Sequence, residues 1–346
     1  MSAVTVHGLE DAGAARWDAF VEATPSATFF HRAGWRRVIE QAFGHRCYFA
    51  YAEKDGEICG VLPLVHVNSR LFSNGLISNA FGVYGGPAVS DPAAAAALDA
   101  YAIDLMDGVG ADFVEYRCRE RGRADWQCKD DLYVTFRRPI DASSEANLKA
   151  IPRKQRAVVR KALKAGLLSD ALDDDVERLY RVYATSVRNL GTPVFSKAYF
   201  RILKEAFGQD CEVLTVTGPD DQPVAAVMSF FFRDEVLPYY GGGTAEARRY
   251  GANDFMYWRV MERSLERGCR LFDFGRSKAG TGSFSFKKNW GFVPEPLHYE
   301  FNLRNGGEVP DVNPLNPKYR LFIALWKRLP LPVANAFGPF IVRNLG

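Results

Sequence analysis

The sequence predicts an α+β protein made of two similar tandem domains, each a mixed β-sheet flanked by helices. Short stretches recur in the same order at a nearly constant offset, and each copy alternates probable strands with helical runs and turn residues. Consecutive strands are joined by turns before one helical crossover, a pattern that favours a mixed sheet with helices on its faces. The length of 346 residues exceeds one typical domain, which agrees with two.

The internal repeat consists of four pairs of similar segments. With the first copy given first, the pairs are 30–33 with 195–198, 42–47 with 206–211, 84–86 with 240–242, and 110–116 with 268–274. Four matches in one order indicate two copies of one module. We therefore predict a first domain over residues 1–140, a second over residues 151–303 and a helical tail over residues 311–346.

The composition excludes several classes of protein. Apolar residues make up 47% of the chain, enough for packed cores, so we do not expect a disordered protein. A net charge of +3 is too small to predict nucleic-acid binding by itself. The first 13 residues lack the basic and apolar stretches of a signal peptide, and no apolar run is long enough to span a bilayer.

Cysteine and histidine usage predicts reduced thiols and no metal site. The six cysteines are scattered without a Cys-x-x-Cys motif, which in a chain of this size is typical of a cytosolic protein. The five histidines show no zinc spacing, so we expect no metal ligands.

The stretch from Leu237 to Phe292 carries most of the chemistry that the sequence suggests. A probable strand runs into three glycines, followed by a basic glycine loop, a helical run, a short apolar strand and a lysine-bearing loop. In this last loop, Lys287 follows Phe286 and is flanked by further aromatic residues. We predict that Lys287 stabilises the oxyanion formed when an amine attacks an ester or thioester carbonyl, or holds a phosphate. The alternative is a hairpin with surface lysines.

The short apolar strand contains one carboxylate, Asp273. At a strand end it is a candidate to orient a substrate amine or to act as a base. The alternative, which we favour, is a buried strand whose carboxylate pairs with a neighbour.

The basic glycine loop contains Arg248, Gly251 and Asn253 in the pattern Arg-x-x-Gly-x-Asn. This pattern resembles the Arg/Gln-x-x-Gly-x-Gly/Ala loop of the GNAT acetyltransferases. The resemblance implies that backbone N–H groups entering a helix hold the coenzyme A pyrophosphate. The alternative is a simple helix start with Asn253 as its N-cap.

A strongly basic helix opens the second copy. Pro152 suits its first turn and Gly166 its end. Six cations share one face at 100° per residue: Arg153, Lys154, Arg156, Arg160, Lys161 and Lys164. This face is either a solvated surface or a site for a polyanion or a diphosphate, for which Arg156 and Arg160 are the central candidates.

Nearly the whole chain resembles the FemAB family of peptidyl transferases, which have two tandem GNAT-like domains. The similarity is carried by residues 81–87 and 151–156, by the Asp-Phe-Gly at 273–275, by the Phe-Lys-x-x-Trp-Gly at 286–291 and by the tail motif at 329–332. It is greatest to FemAB-related proteins associated with exosortase/PEP-CTERM systems. The resemblance implies phosphate binding by Arg156 and catalysis by Lys287 with Phe286. A coiled-coil arm of the kind that some members use with tRNA is missing.

The resemblance implies an N-acyltransferase that moves an aminoacyl or acyl group to an amine of a cell-envelope or exopolysaccharide precursor. The donor would be a charged tRNA or an acyl-CoA acting as co-substrate, with no tightly bound cofactor. We expect the first domain to contribute to the acceptor cleft through Tyr84 and Gly85. Their counterpart in the second domain begins at Tyr240, which we also expect to bind substrate. The alternatives are an acetyl-CoA-dependent GNAT enzyme and a non-catalytic scaffold that binds a glycan precursor.

The tail contains a probable helix from Pro317 to Arg328, followed by an apolar, proline-containing segment. We expect it either to dock on the protein or to lie on the inner membrane, where basic ends meet lipid phosphates. The predicted location is therefore cytoplasmic, with peripheral membrane contact through residues 318–346 as the open alternative.

Overall fold

The structure, a computed structural model of the chain, describes residues 3–69, 72–307, 309 and 317–346, with backbone alone for residues 317–320. The chain divides into two compact units. Unit 1 consists of Met1–Leu132, Pro296–Val312 and Arg343–Gly346, and unit 2 of Tyr133–Glu295 and Asn313–Val342.

The elements up to residue 132, in chain order, are β1 (Thr5–Gly8), α1 (Ala14–Ala23), α2 (Gly34–Phe43), β2 (Arg46–Lys54), β3 (Glu57–Asn68), β4 (Asn74–Ser78), β5 (Ala88–Val89), α3 (Pro92–Val109), β6 (Phe113–Cys118) and β7 (Gln127–Lys129).

The elements that follow are β8 (Tyr133–Thr135), β9 (Arg137–Pro139), α4 (Ser144–Ala150), α5 (Arg153–Ala165), β10 (Ser169–Asp173), α6 (Glu177–Leu190), α7 (Lys197–Phe207), β11 (Cys211–Thr217), β12 (Pro223–Phe232), β13 (Glu235–Gly243), α8 (Ala247–Tyr250), α9 (Ala252–Glu266), β14 (Leu271–Asp273), β15 (Ser277–Lys278), α10 (Gly282–Asn289), β16 (Glu295–Pro296), β17 (His298–Leu303), α11 (Pro317–Trp326) and α12 (Leu331–Val342).

Unit 1 is built on a sheet with the strand order β1-β2-β3-β4-β6-β17-β7. Neighbouring strands are antiparallel except for β4 and β6, which are parallel and joined through the crossover helix α3. That helix starts at the N-cap Asp91, whose side chain accepts a hydrogen bond from the Ala93 N–H, and ends at Gly110 in the left-handed conformation. An aspartate N-cap and a left-handed glycine are common start and stop signals of helices.

Unit 2 repeats this arrangement with the strand order β10-β11-β12-β13-β14-β9. Its parallel pair is β13 and β14, joined through α9. The central strand β12 is buried along its whole length because helices pack on the sheet. The repeated mixed sheets confirm the predicted α+β fold class.

The boundaries of the two units differ from the predicted domains because each sheet includes a strand from elsewhere in the chain. The segment Arg137–Pro139 falls within the predicted first domain, but as β9 it pairs with β14 of unit 2. The segment His298–Leu303 falls within the predicted second domain, but as β17 it pairs with β6 and β7 of unit 1. Strand pairing over such distances leaves no local pattern in the sequence.

The predicted tail starts in residues 311–316, which lie outside the described residues, and continues as α11 and α12. One side of these helices packs on unit 2. A Cβ at Gly191 would meet the side chain of Ile323, and one at Gly338 would lie 2.8 Å from the Val194 carbonyl oxygen. Trp326 is buried as well. The tail therefore docks on the protein, which was the first of the two expectations for it.

None of the described helices combines the length and the apolar character that a bilayer crossing requires.

Candidate active site

The candidate site lies where β13 and β14 separate. These parallel strands pair at Glu235–Leu271 and Val236–Phe272, at their beginnings. Beyond that point β13 continues to Gly243, whereas β14 ends at Asp273. The ladder between β12 and β13 shifts register here, so that Tyr239 is the extra residue of a bulge. Bulges and diverging strand ends re-aim side chains and are common next to active sites.

The three glycines predicted to follow this strand belong to β13 itself. Gly241 and Gly243 approach α9, since added Cβ atoms would lie 3.0 Å from the Tyr257 hydroxyl and 2.5 Å from Asn253 Oδ1. Gly242 points the other way, where an added Cβ would lie 2.6 Å from Ser186 Cβ. The glycines therefore let helices pack closely on both faces of the strand.

Lys287 lies on a helix and not on the predicted loop. The helix α10 begins at the N-cap Thr281, whose hydroxyl accepts a hydrogen bond from the Phe284 N–H at 3.4 Å. Lys287 lies six residues after this N-cap, where the helix directs its side chain inward, and the residue is only 8% exposed. The alternative of a hairpin with a surface lysine is therefore wrong for Lys287.

The ammonium group of Lys287 meets the backbone just after β14. Its Nζ donates hydrogen bonds to the carbonyl oxygens of Gly275 at 2.9 Å and Arg276 at 3.0 Å. Burial lowers the pKa of Lys287 to about 7, while the nearby Asp273 carboxylate raises it and Arg276 lowers it further. A buried lysine of this kind exchanges its proton near neutral pH, which is typical of functional sites.

Phe286 contributes packing to the site. Its ring is half-buried and lies 5.4 Å from the ring centroid of Tyr257 and 6.1 Å from that of Trp290. The contact with Tyr257 joins α10 to α9. Phe286 thus packs beside Lys287, and its part in catalysis stays a prediction.

Asp273 is fully buried, and its carboxylate accepts hydrogen bonds from neighbouring groups. Its Oδ1 accepts hydrogen bonds from the Gly275 N–H at 2.7 Å and the Thr135 hydroxyl at 3.2 Å, and its Oδ2 accepts one from Arg137 Nε at 3.1 Å. Arg137 also pairs with Glu235. This arrangement matches the favoured alternative of a carboxylate that pairs with neighbours, and it positions Gly275 for its contact with Lys287.

Asp254, in the first turn of α9, was not among the residues predicted from the sequence. The residue is 8% exposed, and its Oδ1 accepts hydrogen bonds from Gln155 of α5 and from Trp290 Nε1, the latter at 2.8 Å. Burial raises the pKa of Asp254 despite these two donors. The sequence shows an acidic residue at the start of a helix, but nothing in it indicates that Gln155 and Trp290 are the hydrogen-bond donors to Asp254.

Tyr257, one turn after Asn253, was also missed. Burial raises the pKa of its phenol to about 12, and the charge of Asp254 adds to this effect. Its hydroxyl lies against Gly241 of β13. Tyr257 therefore presents a protonated hydroxyl beside the strand that borders the site.

The predicted phosphate loop forms two helices joined by a turn. Arg248 is exposed on the short helix α8, and Gly251 adopts a positive φ of 68° where α8 ends and α9 begins. A Cβ at Gly251 would lie 3.1 Å from Val158 Cγ1, so this turn packs on α5. The N-cap of α9 is Gly251, and the expectation that Asn253 serves as N-cap is wrong.

The basic helix is α5, and it spans nearly the predicted residues. Val159 and Ala162 are buried, and Gly166 ends the helix with a positive φ of 62°. Arg156 is half-buried and donates a hydrogen bond to the Lys149 carbonyl oxygen at 2.8 Å. The exposed cations, here called the α5 patch, are Arg153, Lys154, Arg160, Lys161 and Lys164. The helix itself carries no acidic residue.

Three further candidates are packed within their own units. The Tyr240 hydroxyl lies 2.6 Å from the Tyr199 hydroxyl in an aromatic cluster of unit 2. Tyr84 is 3% exposed in unit 1. The Gly85 N–H donates a hydrogen bond to the Arg117 carbonyl oxygen at 3.1 Å, and a Cβ there would lie 2.7 Å from the Ser78 carbonyl oxygen. In this geometry the three residues stabilise their units.

Comparison with known proteins identifies the fold. Residues 153–288 match the family model of the acetyltransferase (GNAT) domain. The chain is similar to the crystal structure of FemX, with a TM-score of 0.66 at 16% identity over 86% of this chain and 96% of that one. It is also similar to L-PGS from Bacillus licheniformis, with a TM-score of 0.57 at 13% identity over 93% of this chain and 99% of that one.

A tandem GNAT protein from the clavulanic acid biosynthesis pathway has the same fold as well, with a TM-score of 0.53 at 11% identity over 88% of this chain and all (100%) of that one. No curated protein matches the chain in sequence. The predicted tandem GNAT-like fold is confirmed by these similarities, and the predicted acyltransferase by the match of residues 153–288 to the acetyltransferase domain.

The lowered pKa of Lys287 predicts a pH-dependent stability. Between its folded pKa of about 7 and the ordinary value of 10.5, the unfolded chain holds a proton that the folded chain has released. The contribution of Lys287 to the free energy of unfolding therefore increases with pH in this window, by up to about 1.4 kcal/mol per pH unit. We expect the difference in unfolding free energy between wild type and Lys287→Met to shift in favour of wild type between pH 7 and 9, measured by urea unfolding.

Lys288→Met is the matched control, because Lys288 is the next residue on α10 and is exposed. Its difference from wild type should stay constant over the same pH range. A constant difference for Lys287→Met as well would contradict the assigned burial of this ammonium group.

Proposed function

We propose that this protein is an N-acyltransferase that moves an acyl or aminoacyl group directly from an activated donor to an acceptor amine. The observation that carries this proposal is the buried Lys287, held by the Gly275 and Arg276 carbonyl oxygens at the separation of β13 and β14. A cation in a site of low dielectric constant stabilises a developing oxyanion far better than one in water.

The proposed reaction is an attack of the amine nitrogen on the donor carbonyl carbon. A C–N bond forms, and negative charge develops on the carbonyl oxygen, where the ammonium of Lys287 stabilises it. The C–S bond of a thioester or the C–O bond of an ester then breaks, the leaving group departs as thiol or hydroxyl, and the proton comes from the attacking amine. The phenol of Tyr257, which its raised pKa keeps protonated, could relay this proton by giving its own to the leaving group and taking up the one that the amine releases.

Direct transfer is favoured over a covalent enzyme intermediate. All six cysteines lie within the described residues, and burial raises the pKa of every one of their thiols. Nucleophilic cysteines need the opposite shift, towards the thiolate. The chemistry therefore depends on positioning and on charge stabilisation.

The donor is proposed to be a charged tRNA or an acyl-CoA, both of which carry phosphates. The α5 patch and the exposed Arg248 lie on elements that meet at Gly251 and Val158. Clustered cations without acidic neighbours on the same helix attract polyanions. The acceptor is proposed to be an amine on a lipid-linked cell-envelope or exopolysaccharide precursor, in the exosortase/PEP-CTERM setting that the sequence resemblance implies.

The tail is proposed to hold the protein at the cytoplasmic face of the inner membrane, close to a lipid-linked acceptor. The sides of α11 and α12 that do not pack on unit 2 expose large apolar side chains: Leu321, Phe322, Leu325, Val333, Phe337 and Phe340. The exposed cations Lys327 and Arg328 follow α11. Apolar side chains combined with cations favour the surface of an anionic bilayer.

Replacement of Lys287 tests the proposed chemistry. We expect Lys287→Ala to lower the rate of acyl transfer by about 100-fold or more, the usual loss when one oxyanion donor is removed. Lys288→Ala, the exposed neighbour, should transfer at the wild-type rate. The measurement is single-turnover transfer to an amine acceptor, with circular dichroism to verify folding. Equal rates for the two variants would overturn the catalytic role of Lys287.

Calorimetry with the full chain distinguishes the donors. We expect binding of acetyl-CoA or longer acyl-CoAs to weaken in Arg248→Ala if the donor is a thioester. Binding of charged tRNA should weaken in Arg160→Ala/Lys164→Ala, with a shallower dependence on salt. Arg201→Ala is the control, since Arg201 pairs with Glu177. Binding of neither donor would favour the non-catalytic glycan-binding scaffold.

Sedimentation with vesicles tests the proposed membrane contact. Wild type should bind vesicles that contain anionic phospholipid, and Phe337→Ser/Phe340→Ser should bind several-fold more weakly because two exposed apolar rings are lost. Leu190→Ser is the matched control, since Leu190 is 68% exposed on α6. This role of the tail would be contradicted if the wild type did not bind the vesicles. It would also be contradicted if Leu190→Ser lost as much binding as Phe337→Ser/Phe340→Ser.

A further inference from the structure

Unit 1 brings together three side chains that are typical metal ligands. Cys128 and Asp130 lie on and just after β7, and His298 is the first residue of β17. The cysteine and the histidine are half-buried, whereas Asp130 is exposed. We propose that Cys128, Asp130 and His298 form a binding site for a zinc-type divalent cation.

The sheet register explains why these residues meet. In the antiparallel pair of β7 and β17, Cys128 is opposite Glu300 and Lys129 is opposite Tyr299. Continuing the register by one step places Asp130 opposite His298. Residues at alternate positions of a strand share a face, as do residues directly opposite on neighbouring strands. Cys128, Asp130 and His298 therefore project from one face of the sheet.

The distances are close to those that a bound metal requires. Cys128 Sγ lies 3.9 Å from His298 Nδ1, and His298 Nδ1 lies 4.0 Å from Asp130 Oδ2. All three ligand atoms lie within 4.8 Å of one another. Tetrahedral zinc with bonds of about 2.0–2.3 Å places its ligand atoms about 3.3–3.6 Å apart. Small side-chain rotations would therefore close the site around an ion. Asp130 can make the largest rotation because its side chain is exposed.

The ligand types select the class of metal. A thiolate, an imidazole and a carboxylate together suit zinc or cobalt, whereas magnesium and calcium prefer sites made of oxygen atoms. The surroundings carry charges of both signs, since the carboxylates of Asp130 and Glu300 and the guanidinium of Arg121 all act on Cys128. A divalent cation would offset the carboxylate charges and displace the thiol proton.

A metal at this position would connect β7, an edge strand of unit 1, to β17. Three protein ligands leave a fourth position for water or for a further ligand. The sequence predicts no metal site because these ligands have no local spacing in it. Cys128 and His298 are separated by 170 positions in the sequence, so strand pairing alone brings them together.

The test uses the full chain, freed of metal with a chelator and titrated with Zn²⁺ and then with Co²⁺. We expect one high-affinity zinc ion per chain, a Co²⁺ complex with sulfur-to-cobalt charge-transfer absorption, and a higher thermal unfolding temperature with zinc. Mg²⁺ should produce none of these effects. Cys128→Ser should abolish the charge-transfer band, and Asp130→Asn should weaken zinc binding by about tenfold or more, as loss of a metal contact does.

Cys47→Ser and His7→Ala are the controls, because they remove a cysteine and a histidine that lie outside the cluster. The Asp130→Asn variant keeps the test decisive if Cys128→Ser fails to fold, since Asp130 is exposed and its change preserves side-chain shape. Absence of zinc binding at micromolar concentrations would overturn the proposal. Zinc binding that is retained in both cluster variants would overturn it equally.

Discussion

The buried carboxylate of Asp254 connects the three segments on which the candidate site depends. It lies in the first turn of α9 and accepts hydrogen bonds from Gln155 of α5 and from Trp290, the residue after α10. Removing this acceptor would leave two buried donors without a partner, which costs more than the hydrogen bonds themselves contribute. One side chain thus fixes the basic helix and the lysine helix relative to the start of α9.

A second set of buried charges fixes the end of β14. Asp273 is held by Arg137 and Thr135 and in turn holds the Gly275 N–H, while the Gly275 carbonyl oxygen accepts a hydrogen bond from Lys287. Fixed backbone carbonyl groups therefore take the place of water around the Lys287 ammonium group. Such an arrangement needs no reorganisation when charge develops on a substrate, which is the condition for electrostatic catalysis.

Much of the fold could be predicted because it is repeated. Turn residues, the alternation of strands with helical runs and the four matched segments indicated the two mixed sheets, and Pro152 and Gly166 correctly bounded the basic helix. The lysine segment was taken for a loop because its glycines and aromatic residues hide the helical period of residues 282–289. The site was predictable in part. Lys287 stood out as a lysine among aromatic residues, whereas the roles of Asp254 and Tyr257 depend on partners far away in the sequence.

The placement of β17 has a consequence for how the protein is made. This strand lies between β6 and β7 in the sheet of unit 1, although almost all of unit 2 precedes it in the chain. During synthesis the ribosome releases the complete core sheet of unit 2, from β9 to β14, before the sheet of unit 1 can close. N-terminal domains usually fold first during synthesis. Here the sheet of unit 1, which contains the N-terminal strands, is completed after the sheet of unit 2. Until residues 298–303 emerge, the nascent chain must keep the unpaired edge of β6 from meeting another chain.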